Sequence, residues 1–145
     1  MLSKMYPDQV SDQWEAIRPG IESSLPYTIS EHNMNKLLEE FMVGNMQCWV
    51  LNQDGETYAI ITTMTNNDFM GRKILIIYSI YGYKQVQLSM WKNALTSLIR
   101  WAKAQGCDLI TAQADNAVAA RLAKAFNAVT TRSIILYDLH KEEEL

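Results

Sequence analysis

The residues able to do chemistry in this chain gather between Tyr78 and Trp91, with Asn116 further on. Tyr78, Tyr81 and Tyr83 surround Gly82 and make an aromatic group that could line a cleft for a peptide strand or a small acyl group. The same rings could equally fill space between packed elements. Lys84, Gln85 and Gln87 carry donors that suit a phosphate, or else belong to a solvated loop. Asn116 has the side chain of a helix cap. Other chemistries fail on spacing. Ser79 and Ser89 have no His or Asp pattern beside them and no G-x-S-x-G elbow, which argues against a serine hydrolase. His32 and His140 stand alone and Cys48 and Cys107 lack C-x-x-C spacing, so no metal site is expected. The two cysteines could pair, and the sequence does not decide it; the plainer reading is two reduced thiols.

The scaffold for these residues is one α/β domain spanning residues 1–145. A chain of that length can bury roughly two-thirds of its unfolded surface. It is 48% hydrophobic and 20% charged, with net charge −3, and its 13 basic residues are scattered. A nucleic-acid partner needs clustered Lys and Arg, so none is expected. No run of eighteen apolar residues spans a membrane, and the start of the chain has no apolar signal core. A cytoplasmic protein is expected, with a protein partner and a possible homodimer.

Val10, Trp14, Ile17 and Ile21 recur at helical spacing, with Asp8 or Ser11 as N-cap, and Pro19 should end or bend that helix. Ser30 caps a second helix over 31–43, with Met34, Leu37, Leu38 and Phe41 buried and Gly44 as its stop. Residues 46–51 and 57–64 pair as strands around a turn containing Asp54-Gly55. A second polar turn at 65–71 leads into the apolar run 74–81. Residues 88–105 form an amphipathic helix with Trp91, Leu95, Leu98 and Ala102 on one stripe, joined by Leu88 and Ile99. A strand at 109–114, a helix opened by Asp115-Asn116 and a closing strand at 132–139 complete the order. Strand, long helix and strand make a right-handed crossover, so the sheet is mixed, with its middle strands parallel.

Three stretches carry a family likeness. Ala94-Leu95-Thr96-Ser97-Leu98-Ile99-Arg100-Trp101-Ala102-Lys103 resembles the long central helix of the GNAT N-acetyltransferases. Cys107-Asp108-Leu109-Ile110-Thr111-Ala112 resembles the strand that follows it. Asn116-Ala117-Val118-Ala119, with Leu122 and Phe126-Asn127-Ala128, is similar to the family signature N-x-x-A-x-x-L-Y-x-x-x-G-F. The resemblance implies a GNAT-like acyl-CoA N-acyltransferase fold, a mixed central sheet flanked by helices. It also implies acyl transfer from acetyl-CoA to an amine, with the pyrophosphate held by a Q/R-x-x-G-x-G/A loop.

At that loop the chain reads Val86-Gln87-Leu88-Ser89-Met90-Trp91, so Ser89 and Trp91 take the glycine positions. Trp91 there would fill the phosphate volume or turn into the core. Residues 73–83 carry no acid to act as general base, Asp68 and Glu56 being the nearest, and Ala123 stands where the family has its tyrosine acid. The altered parts lead to the expectation of a degenerate site. Its vestigial cofactor contacts would be Gln87, Ser89 and Asn116, its cleft lining Tyr78, Tyr81, Tyr83 and Trp91, with no catalytic residue and no cofactor. Such a chain resembles GNAT-like bacteriophage proteins. It would then be a non-catalytic binding or structural module, virion-associated or acting in the infected host cell. The alternative is an active acetyl-CoA-dependent N-acetyltransferase acting on a protein or small-molecule amine.

Overall fold

The computed structural model describes residues 1–25, 34–112 and Lys124. Its elements run β1 (Leu2–Lys4), α1 (Pro7–Asp12), α2 (Trp14–Ser23), α3 (Met34–Met42), β2 (Met46–Gln53), β3 (Glu56–Asn67), β4 (Lys73–Gly82), α4 (Leu88–Ala104) and β5 (Leu109–Ala112). The strands lie side by side in chain order. The first four are antiparallel, and β5 joins β4 in parallel after the α4 crossover.

Helices cover both faces, which is why β4 is apolar at nearly every position rather than at alternate ones. On one face, Trp91, Ala94 and Leu98 of α4 pack against Trp49, Leu51, Ile61, Ile77 and Ile80. On the other, Val10, Ile17, Ile21 and Phe41 of α1, α2 and α3 pack against Cys48 and Ile60. Alternation along β2 sends Trp49 and Leu51 to the first core and Cys48 and Val50 to the second.

Four expectations are corrected. Residues 2–4 gave no strand signal, yet they pair with β2 and put Leu2 in the core. The first helix breaks at Gln13 and not at Pro19, and α2 runs through the proline to Ser23. An interior proline costs a helix about 3 kcal/mol. Burial of Trp14, Ile17 and Ile21 outweighs that, since each such side chain is worth about 1.5–3 kcal/mol. Neither Asp8 nor Ser11 is the cap. Pro7 opens α1, and the Gln9 side chain accepts the Tyr6 N–H at 2.8 Å. The turn expected at 65–71 is shorter, because Thr65, Asn66 and Asn67 pair with Leu75, Ile74 and Lys73. The Asp68 carboxylate closes it, accepting the Met70 and Arg72 N–H groups and the Arg72 guanidinium.

The hairpin turn is as expected, with φ of +53° at Asp54 and +77° at Gly55. Gly44, at φ +84°, follows α3. Of the methionines, Met34 and Met46 are buried whereas Met42 is exposed. The Ser30 cap, Asn116, Ala123 and the elements expected at 115–139 lie outside the described residues.

Candidate active site

A β-bulge builds the centre of the site. Thr62 faces Ser79 and Thr63 faces Ile77, which leaves Tyr78 as the extra residue of β4. The bulge shifts the side-chain parity, so Ile77 and Ile80, three apart, both reach the α4-side core. Tyr78 turns to the opposite face and packs with the α1–α3 cluster. Tyr81 sits opposite Ile60 of the same cluster, with its ring against Gly20 of α2. Tyr83 meets Tyr81 edge-on, ring centroids 5.1 Å apart. The Ser79 hydroxyl is buried and hydrogen-bonded to Thr62, so it is a packing group and not a nucleophile.

Gly20 fixes how near α2 comes to this tyrosine. A Cβ at that position would lie 2.7 Å from the Tyr81 ring. Gly20→Ala should therefore destabilise the fold even though alanine favours a helix by about 0.5–1 kcal/mol. The overpacking term, about 1–3 kcal/mol, is the larger. A lowered denaturation midpoint with an unchanged slope checks it.

The start of α4 lies beside the end of β4. Gln87 is its N-cap, with φ −68° and ψ 152°, and its carbonyl accepts the N–H groups of Met90 and Trp91. No side chain caps this end, and its first turn holds no acid. Among the described residues no acceptor meets the N–H of Leu88 or Ser89, and both residues are exposed. A long helix ending in open amides carries partial positive charge and suits an anion.

Trp91 points away from that surface. Its side chain is 5% exposed and belongs to the core between α4 and the sheet. The reason is its place on the α4 stripe with Ala94, Leu98 and Ala102. The residue read as taking up the phosphate volume is thus a core residue. Leu88, assigned to the stripe, is instead 49% exposed at the helix start.

The loop between β4 and α4 is tied to the β2–β3 hairpin. The Tyr83 and Lys84 N–H groups both reach the Tyr58 carbonyl, at 2.8 and 3.4 Å. The Lys84 ammonium binds Glu56 and sits 5.4 Å from the Tyr58 ring centroid. Glu56 is therefore at the Tyr83 end of the sheet but held by a lysine, while Asp68 closes the turn at the opposite end. Burial, then Tyr81 and Cys48, push the Tyr83 phenol above its ordinary value. It stays protonated at neutral pH and is a hydrogen donor.

Both cysteines are free. Burial pushes the Cys48 thiol up to about 12. A thiol reagent at pH 8 should label the half-buried Cys107 in the folded protein and reach Cys48 only on unfolding, which mass spectrometry would count.

Gln87 and Ser89 thus sit together at the α4 start, with Tyr81 and Tyr83 beyond the bulge, and Asn116 lies outside the described residues. Gly20 and Tyr58 escaped the sequence reading. The only sign of Gly20 was a glycine kept within a helical pattern, where it costs stability unless something packs on it.

Comparison with models of known protein families finds no match, and comparison with curated proteins finds none. Solved structures do match along nearly the whole chain. A predicted acetyltransferase from Clostridium acetobutylicum, solved with acetyl-CoA, superposes with TM-score 0.71 at 12% identity, over 99% of each chain. The aminoglycoside N-acetyltransferase AAC(6')-Iy, solved with CoA, gives 0.68 at 13% identity, over 97% of this chain and 100% of that one. A ribosomal-protein-alanine N-acetyltransferase from Brucella melitensis biovar Abortus gives 0.69 at 11%, over 96% and 99%. The expectation of no cofactor is corrected by these findings, since structures of this fold hold CoA or acetyl-CoA. The mixed sheet, its α4 crossover and these superpositions establish that the chain has the GNAT acyl-CoA N-acyltransferase fold.

Proposed function

We propose that this protein is an N-acyltransferase that takes an acyl group from acetyl-CoA and passes it to an amine. One observation carries the reading: Trp91 turns into the core, so the open amides of Leu88 and Ser89 are free to meet a diphosphate. Gln87 and Ser89 supply polar side chains at that helix end, and exposed Lys92 lies one turn on. The thioester supplies the activated acyl group; the rest of the work falls to the chain.

The far half of β4 aligns the reactants, and positioning alone contributes much of the rate in such reactions. Tyr83, 43% exposed and with a phenol protonated at neutral pH, donates a hydrogen bond to the departing sulfur in place of the tyrosine that the family resemblance would put at Ala123. β4 presents no carboxylate, so the acceptor's proton leaves to water. Activity then rises with pH until the amine is neutral, and falls only above the raised pKa of Tyr83.

Calorimetric titration of acetyl-CoA into the full chain tests the reading, with saturable micromolar binding as the expected result. Thiol release in the presence of amines tests turnover. Tyr83→Phe should lower kcat by about a hundred-fold with little change in acetyl-CoA affinity, the usual loss for a general acid. Absence of binding would overturn the assignment. No observation favours a virion-associated or host-interacting module over this reading.

A further inference from the structure

A second site lies at the opposite end of the sheet, where no part of the acyltransferase reading applies. β1 stops at Lys4 while β2 begins earlier along the same edge, at Met46. The gap leaves a cavity of about 160 Å³ at the edge of β2, reached by the end of α4 from one face and by α1 and α3 from the other. Its place is fixed by Lys73, the first residue of β4, and by Gln105, just past α4. The start of α4 is therefore roughly 25 Å away, seventeen residues at about 1.5 Å each.

The lining has two characters. Met5, Val10, Phe41, Met46 and Trp101 give it apolar walls. A volume of about 150 Å³ is room for one benzene ring. Two cations, Lys4 and Lys73, also line it, and among the described residues no acid does. The Lys73 ammonium donates to the Gln105 carbonyl at 2.8 Å and has two donors left. Gln47 lies inside, 8% exposed. Its Oε1 accepts from Thr63, and its Nε2 reaches the Gly44 carbonyl at 3.3 Å, leaving one amide hydrogen. Asp108 is near but accepts the Lys73 backbone N–H, not its ammonium.

We infer that this cavity binds a small carboxylate with a ring-sized apolar body, the ring among Phe41, Met46 and Trp101 and the carboxylate toward Lys4, Lys73 and Gln47. The apolar walls supply affinity and the two ammonium groups select the anion over a neutral molecule of the same shape.

Phenylacetate is the probe and phenylacetamide its neutral counterpart, each titrated into the full chain while the Trp101 indole resonance is followed. Phenylacetate should saturate with Kd of about 1 mM or tighter, reasonable for ten heavy atoms. Phenylacetamide should bind at least about ten-fold more weakly, a margin of one charge-assisted contact. Lys4→Ala with Lys73→Met should erase that preference while the protein stays folded and its acetyl-CoA binding is unchanged. Should the double variant not fold, Lys4→Ala alone, at an exposed edge residue, must narrow the preference. No saturation, equal binding of the two probes, or a preference that survives the lysine changes would each overturn the inference. None of these outcomes depends on whether acetyl-CoA is a substrate.

Discussion

Trp91→Ala will cost about 3–5 kcal/mol of folding stability, the range for deleting a buried aromatic side chain. Two readings of this residue lead to opposite results. Were the indole lying across the α4 start, its removal would open a phosphate site, so acetyl-CoA affinity would rise and stability would hardly change. The structure places it at 5% exposure among Trp49, Leu51, Ile77, Ile80 and Leu98. Its loss therefore opens a cavity where α4 joins the sheet, and the surrounding strands can collapse only in part. Trp91→Phe should keep most of the packing and fall well short of the alanine loss. Urea unfolding separates these outcomes: a large drop in midpoint for alanine with a small one for phenylalanine supports the core assignment. An alanine variant as stable as the parent, with tighter acetyl-CoA binding, would refute it.

Trp91 also shows where the sequence was legible and where it was not. Its place three residues before Ala94 and seven before Leu98 put it on the α4 stripe, and that helical period prevailed over the family loop pattern. Elements with long uninterrupted patterns were readable for the same reason. β4 is covered on both faces, α4 carries its stripe for about three turns, and Asp54-Gly55 has few conformations other than a hairpin turn. Short and tertiary-determined features were not. β1 has three residues, too few to show a period, and exists because β2 offers it an edge. The continuation of α2 through Pro19 depends on what Trp14, Ile17 and Ile21 bury against. The site itself turns on the bulge at Tyr78. Nothing in Ile77-Tyr78-Ser79 announces an extra residue, yet that residue decides which tyrosines face α2. Residue types at the site could be listed from sequence; their facing could not.

Ser89→Glu should move stability and ligand binding in opposite directions. The first turn of α4 holds no acid, and a carboxylate there favours the helix dipole by about 0.3–1 kcal/mol. The variant should melt at the same temperature or slightly higher. Against a bound diphosphate the same charge is repulsive. At about 5 Å and an effective dielectric between protein surface and water, the penalty is about 2 kcal/mol, or roughly thirty-fold in Kd. Ser89→Ala removes only a hydroxyl and should change Kd by no more than about three-fold, because the backbone amides of Leu88 and Ser89 remain. Salt provides a further check. Near 1 M the screening length falls to about 3 Å, so the glutamate deficit should shrink while the alanine value stays put. A glutamate variant that is more stable and binds acetyl-CoA poorly at low salt ties the phosphates to the start of α4. Equal binding by both variants at every salt concentration would move them elsewhere.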